Sequence, residues 1–312
     1  MQSLSVSFNA IIPLFLVMAV GQTLRRIGMI RSGEIEQFNK VAFYVFIPIM
    51  LFYDIYQSDL SQSIDVRYCL CAVGLVLLLY GISAVIIVAV EKAPDKRGTM
   101  IQGAFRSNYA LLGIPMSSAL YQGGDIGLTA LLVAIMIPIY NIMSVITLEV
   151  FRGGRVQIKA LLINIAKNPL IIGALCGLFF KIFQLHLPSF LDSFASKMHA
   201  AAAPVVLLLL GAAFNRESIL AQCRNTFLCA FLKLIMVPGV GLTLAMLVGF
   251  RDLQFITLIT VFTTPTAVNS YNMAHQMGGD SDLAAGIVMA TTALSLFTML
   301  FWITLFKQLG AF

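Results

Sequence analysis

The chain has 312 residues, 59% of them hydrophobic and only 11% charged, with a formal net charge of +6. Soluble globular domains carry about 25% charged residues, so an ordinary soluble enzyme or binding module is excluded. Apolar runs of roughly 20 residues recur from end to end, and no polar block is long enough to fold as a soluble domain, which makes this a polytopic α-helical membrane protein. The basic excess is therefore read loop by loop rather than as a nucleic-acid footprint.

Ten spans are predicted, at about 8–26, 38–56, 68–90, 99–121, 126–149, 160–183, 196–214, 225–249, 253–276 and 283–307, joined by short connections. Met1 to Ala19 has no Lys or Arg ahead of its apolar run and no clear small-residue cleavage site, so no cleaved leader is expected. Lys and Arg fall unevenly on the two sides. The odd-numbered connections, from Arg25 to Arg224, hold 14 of them, with Arg106 counted just after loop three–four. The other side holds 5: Arg67, Lys181, Lys197, Arg251 and Lys307. The rich side is expected to be cytoplasmic and both termini outward. Lys233 falls inside span eight and is expected to snorkel to the interface, with a functional intramembrane charge as the alternative. Asp54 is expected at a membrane edge, solvated. The five cysteines have no zinc or redox spacing and read as small buried hydrophobes.

An internal repeat runs through the chain. Pro13 matches Pro169, Pro48 matches Pro204, Gly123-Gly124-Asp125 matches Gly278-Gly279-Asp280, and Ile146-Thr147-Leu148 matches Ile303-Thr304-Leu305, all at offsets of 155–157. Five spans per half is odd, so a duplicated half inserts upside down. The matched prolines are expected to kink their helices, and Gly173 with Gly177 suits close helix packing.

Two stretches stand apart as a site. Ser107 to Asp125 has Asn108, Gly113 and Pro115 near the middle of span four, and Thr263 to Asp280 has Pro265, Asn269, Ser270 and Asn272 in span nine. Proline removes a donor and clashes one turn back, so both spans are expected to be broken. Broken spans survive in a membrane where they line a cavity. Half-helix N-termini there present bare N–H groups and positive dipole ends to an anion, and Asn amides can donate to a carboxylate. Tyr140 and Asn141, after Pro138, are candidates to line the same cavity. Arg106 is a candidate to steer anions at the cytoplasmic mouth, and His275 a lesser one for proton sensing. No HExxH, GxSxG, Walker A or dinucleotide fingerprint occurs, so no enzyme and no primary pump is expected, and no cofactor or metal.

The run Asn108-x-x-x-x-Gly113-Ile114-Pro115 resembles the fourth-span motif of the auxin efflux carrier family, which includes plant auxin carriers and bacterial malonate-type permeases. The resemblance implies substrate binding at the crossing of spans four and nine, by Asn108 and Pro115, and an elevator-like motion of a transport part against a scaffold. Ser270 stands where plant carriers have a crossover proline, and their long cytoplasmic loop is absent. A bacterial-type member is implied rather than a carrier of auxin.

The expected fold is thus all-α, with ten transmembrane helices as an inverted five-plus-five repeat and broken, crossing helices four and nine. Its parts are residues 1–150, a short cytoplasmic linker at 151–159, and 160–312. The expected function is secondary transport of a small organic anion, a mono- or dicarboxylate, in a bacterial inner membrane. Rivals are a sodium-coupled anion symporter and, in another class, a membrane sensor or assembly subunit that moves nothing. Expected partners are the anion and the lipid bilayer, with a homodimer left open and nucleic acid excluded.

Overall fold

The computed structural model describes residues 2–57, 65–121, 127–152, 163, 166–213 and 222–312. Among these the chain is helical nearly throughout, and its only extended pairing is one isolated β-bridge. The first Gly-Gly-Asp copy and most of the 151–159 linker lie outside the described residues.

In chain order the helices are α1 (Gln2–Arg26), α2 (Ser32–Val41), α3 (Ile47–Tyr56), α4 (Val66–Val90), α5 (Pro94–Phe105), α6 (Tyr109–Leu120) and α7 (Gly127–Val150). They continue as α8 (Pro169–Ile182), α9 (Ser189–Ala213), α10 (Cys223–Phe231), α11 (Val237–Val248), α12 (Asp252–Thr263), α13 (Asn269–Met277) and α14 (Ser281–Gln308). Six helical stretches among the described residues are long and apolar enough to cross a membrane: Gly33–Tyr56, Val66–Val90, Leu131–Val150, Ser189–Ala213, Cys223–Val248 and Ser281–Gln308. Pro169–Ile182 and Asp252–Thr263 are shorter apolar helices.

The prolines act in three ways. Pro13 and Pro204 lie inside α1 and α9. Pro169 is no kink, because it opens α8, where a missing N–H costs nothing, and Asn168 caps the helix by accepting from the Leu170 N–H. Pro48 and Pro238 each follow a π-helical turn, at Ala42–Phe46 and Leu232–Met236, that keeps α2 running into α3 and α10 into α11. A proline cannot donate to the carbonyl four residues back, and the π turn absorbs the mismatch. The carbonyl freed by Pro238 is that of Leu234, and it accepts from Trp302 Nε1 at 2.8 Å.

The second Gly-Gly-Asp copy is a stop-and-start signal. Gly278, at φ +80°, closes α13 in the left-handed region, and Asp280 caps α14 by accepting from the Leu283 N–H.

Two apolar cores divide the molecule. One joins α4, α5, α6 and α7 with α10, α11, α12 and α14. The other joins α1, α3, α8 and α9 with α13 and one side of α7 and α14. The second is held by close backbone approach. A Cβ at Gly211 would lie 1.9 Å from the Met18 carbonyl oxygen, and one at Gly21 would lie 2.0 Å from that of Leu208, so α1 and α9 meet through both glycines. Gly173 and Gly177 do the same for α8 against Pro48 and Phe52 of α3. Lys233 departs from its expected place. It is fully buried in the protein, and among the described residues its amine has no hydrogen-bond partner, so it does not snorkel.

Candidate functional site

Both predicted stretches are broken, and the breaks meet. The helix of span four stops at Phe105 and resumes at Tyr109, with Arg106 extended at φ −73°, ψ 121°. The helix of span nine stops at Thr263 and resumes at Asn269. Thr264 sits at φ −64°, ψ 146°, the extended region favoured by a residue that precedes proline, here Pro265. Ser107 and Thr266 form an antiparallel bridge, and the Asn108 N–H donates to the Pro265 carbonyl at 2.8 Å. Thr266 fastens the crossing on two further sides. Its hydroxyl donates to the Gly103 carbonyl at 2.6 Å, and its N–H donates to Thr291 Oγ1 at 3.2 Å. The Ser107 and Thr264 hydroxyls are also in hydrogen-bond contact. Backbone groups released by the breaks thus find partners in the opposite break and in Thr291 of α14, as burial away from water requires.

A cavity of about 40 Å³ lies against the crossing, lined by Asp54 of α3, Arg106 and Asn108 of the first break, Tyr140 and Asn141 of α7, and Asn269 of the second break. Two helices start here, α6 after Asn108 and α13 at Asn269, and neither has a side-chain cap. Three polar atoms at this cavity's lining residues are buried without a hydrogen-bond partner among the described residues: Asn108 Nδ2, Asn269 Oδ1 and Asp54 Oδ2. Rotation of the Asn269 amide about its last torsion exchanges that acceptor for a donor.

Arg106 is the basic residue of the site. It is 3% exposed, donates to Asn141 Oδ1 at 2.7 Å and touches the Met273 sulfur. Asn141 in turn donates to the Ile137 carbonyl at 2.8 Å, which fixes its oxygen toward the guanidinium. Among the described residues no carboxylate pairs with Arg106. It is therefore not a solvated loop cation, as the sequence count had it, but a buried residue beside the crossing.

The remaining candidates are placed as follows. The break lies ahead of Pro115, whose backbone continues the α6 helix, and its side chain is outside the described residues. Pro265 contributes its carbonyl to Asn108. Ser270 is buried with an unpartnered hydroxyl and is not part of the cavity lining. Asn272 faces α2, where Nδ2 donates to Asn39 Oδ1 at 2.9 Å, and Asn39 donates to the Tyr271 hydroxyl at 3.1 Å. His275 stacks on Tyr271, away from the cavity. Asp54, with 16% of its side chain exposed, is among the residues that line the cavity. A threonine stripe along α12 went unread in the sequence. Thr257, Thr260, Thr263 and Thr264 are all buried, and Thr257 meets Thr129 of α7 at 3.0 Å. The spacing of these threonines within an apolar run was the available signal.

A multi-pass helical protein whose two broken helices meet beside a cavity with polar side chains in its lining has the architecture of a membrane transporter. The family model described as "Membrane transport protein" matches residues 6–303, and the chain belongs to that family, that of the auxin efflux carriers. It is similar to an uncharacterized transporter of Methanocaldococcus jannaschii, 20% identical over 306 residues, which span 95% of this chain and 98% of the relative. It is equally similar, at 20% over 309 residues and 97% of the relative, to an uncharacterized transporter of Methanothermobacter thermautotrophicus.

Proposed function

We propose that this protein is a secondary transporter of a small organic anion, a mono- or dicarboxylate, bound at the crossing of the two broken helices. The observation that carries this is Arg106, a buried guanidinium with no carboxylate partner among the described residues, beside the unpartnered donor Asn108 Nδ2. An uncompensated charge is costly to bury, and a substrate carboxylate supplies the missing counter-charge. The helices α6 and α13 start at this cavity without side-chain caps, and their positive dipole ends favour an anion. Specific ligand pockets are usually 300 Å³ or more, roughly, so the cavity of about 40 Å³ corresponds to a conformation in which the site is nearly closed.

In this reading ten spans form two inverted five-helix repeats, residues 1–150 and 160–312. The glycine-locked set α1, α3, α8 and α9 is the scaffold, and the crossing moves against it in an elevator-like step. The Lys and Arg asymmetry supports outward termini in a bacterial inner membrane. The test is uptake of labelled acetate, pyruvate, malonate and succinate into proteoliposomes. At least one is taken up by the wild type, and Asn108→Ala and Asn269→Ala each weaken its half-saturation by about tenfold or more, the cost of one hydrogen bond to a charged group. Wild-type vesicles that take up none of these anions faster than empty vesicles would overturn the reading.

A further inference from the structure

The site reaches beyond the crossing on the side of α3. Asp54 presents two differently placed oxygens. Oδ1 lies 2.8 Å from Nε2 of His199 on α9, while Oδ2 is buried without a partner among the described residues, in a side chain of a residue that lines the Arg106 cavity. The two side chains also differ in access, since that of His199 is 37% exposed and that of Asp54 only 16%. A cross-link whose sole purpose was to tie α3 to α9 has no need to bring a carboxylate to the cavity wall, and the two helices already belong to one core.

We propose that Asp54 and His199 form a proton-binding pair that couples uptake of one proton to binding of the substrate carboxylate at Arg106 and Asn108. This rests on the anion reading above and adds the coupling ion to it. With neutral His199 and ionised Asp54 the pair carries one negative charge, and it faces the cavity that must receive a second. Like charges so close disfavour one another, and the anion is repelled. A proton taken from water through the exposed edge of His199 lodges between Nε2 and Oδ1 and brings the pair to zero net charge. Arg106 is then left as the one charge of the cavity, matched to one carboxylate. Release of the anion and of the proton on the other side restores the first state, with no other bond made or broken.

The other ionisable groups around the pair do not replace it in this role. Tyr53 packs its ring 5.4 Å from that of His199, and the Tyr56 hydroxyl accepts from the Leu187 N–H. On α9, Lys197 lies two residues before His199, and Asp192 meets Gln57 at 3.4 Å. Lys181 stands at the end of α8, while Tyr109, Tyr140 and Arg106 line the cavity. Among the described residues Asp54 is the carboxylate that contacts His199.

The experiment measures binding of acetate, malonate and succinate to the purified full chain in lipid nanodiscs, at about pH 6 and about pH 8, the range in which a histidine changes charge. The wild type is expected to bind its best carboxylate more than about tenfold more weakly at the higher pH. Asp54→Asn, which keeps a side chain of the same shape beside His199, is expected to bind equally at both, near the wild-type affinity at low pH. His199→Gln should also flatten the profile, and it decides the matter where the Asp54 variant does not fold. His275→Gln should leave the profile unchanged. Wild-type binding that is independent of pH, or a profile that survives in both pair variants, overturns the proton pair and leaves the anion reading standing. Wild-type protein that binds none of the three at either pH overturns both.

Discussion

Replacing Arg106 by Gln is expected to move affinity and stability in opposite directions. The guanidinium is buried, donates to Asn141 Oδ1 at 2.7 Å and has no carboxylate partner among the described residues. Losing its hydrogen bond to a bound carboxylate costs about 1.5–3 kcal/mol, which is roughly ten- to a hundredfold in affinity. For the empty protein the account differs. Removing one partner of a buried ion pair costs about 3–5 kcal/mol because the other charge is stranded. Here no ion-paired carboxylate is stranded among the described residues, and the loss of the bond to Asn141 and the contact with Met273, about 1.5–3 kcal/mol, is offset by relief of a buried charge. Thermal stability without ligand should therefore stay level or rise while half-saturation for the carboxylate climbs. Arg106→Lys keeps the charge without the two-pronged donor and should fall between. The assay is uptake into proteoliposomes at equal protein density, with unfolding followed on the same preparations. A Gln variant that transports with wild-type half-saturation, or that unfolds many degrees lower, would refute the assignment of Arg106 to the anion.

Other expectations test the frame around the site. In a cysteine-free background, a cysteine at Lys92 should be shielded from an impermeant thiol reagent added outside and one at His186 should react; the reverse pattern would overturn the orientation. Gly211→Ala forces apart the contact at the Met18 carbonyl and should cost about 1–3 kcal/mol in unfolding. Gly74→Ala in α4, where a Cβ meets nothing within 4 Å, should instead be neutral or stabilising by up to about 1 kcal/mol. Trp302→Phe strands the Leu234 carbonyl and should cost about 1–3 kcal/mol, measured by the same unfolding assay.

The second break was legible because its cause is local. Pro265 fixes the conformation of Thr264, and a proline within an apolar run can be seen in one sequence. The first break was only half legible. Asn108 marks it, but Pro115, which carried the argument, lies inside the resumed helix, and the chain opens at Arg106–Asn108 without any proline. What holds it open is the bridge to Thr266, a contact 159 residues away that no local rule supplies. Arg106 was misread for a related reason. Counting basic residues by loop assumes that the helix boundary is known, and a charge a few residues inside an uncertain boundary is assigned to water. The pairing of Asp54 was not legible either, since its partner His199 comes from the opposite half of the chain. The second Gly-Gly-Asp copy, in contrast, is explained by local chemistry as a helix stop followed by a cap.

The bridge between Ser107 and Thr266 also sets an order of events during synthesis. The ribosome delivers the first break long before its partner exists. At roughly 5–20 residues per second, the intervening stretch takes about 8–30 s to emerge. Throughout that interval the first span lacks the contact that fixes its break, and its guanidinium and asparagine have nothing of the second half to pair with. Until residue 266 arrives, the first half is an unfinished product whose polar backbone must be sheltered by the insertion machinery, by water or by shallow placement in the bilayer. The two halves therefore mature together, in one late step that closes both breaks at once.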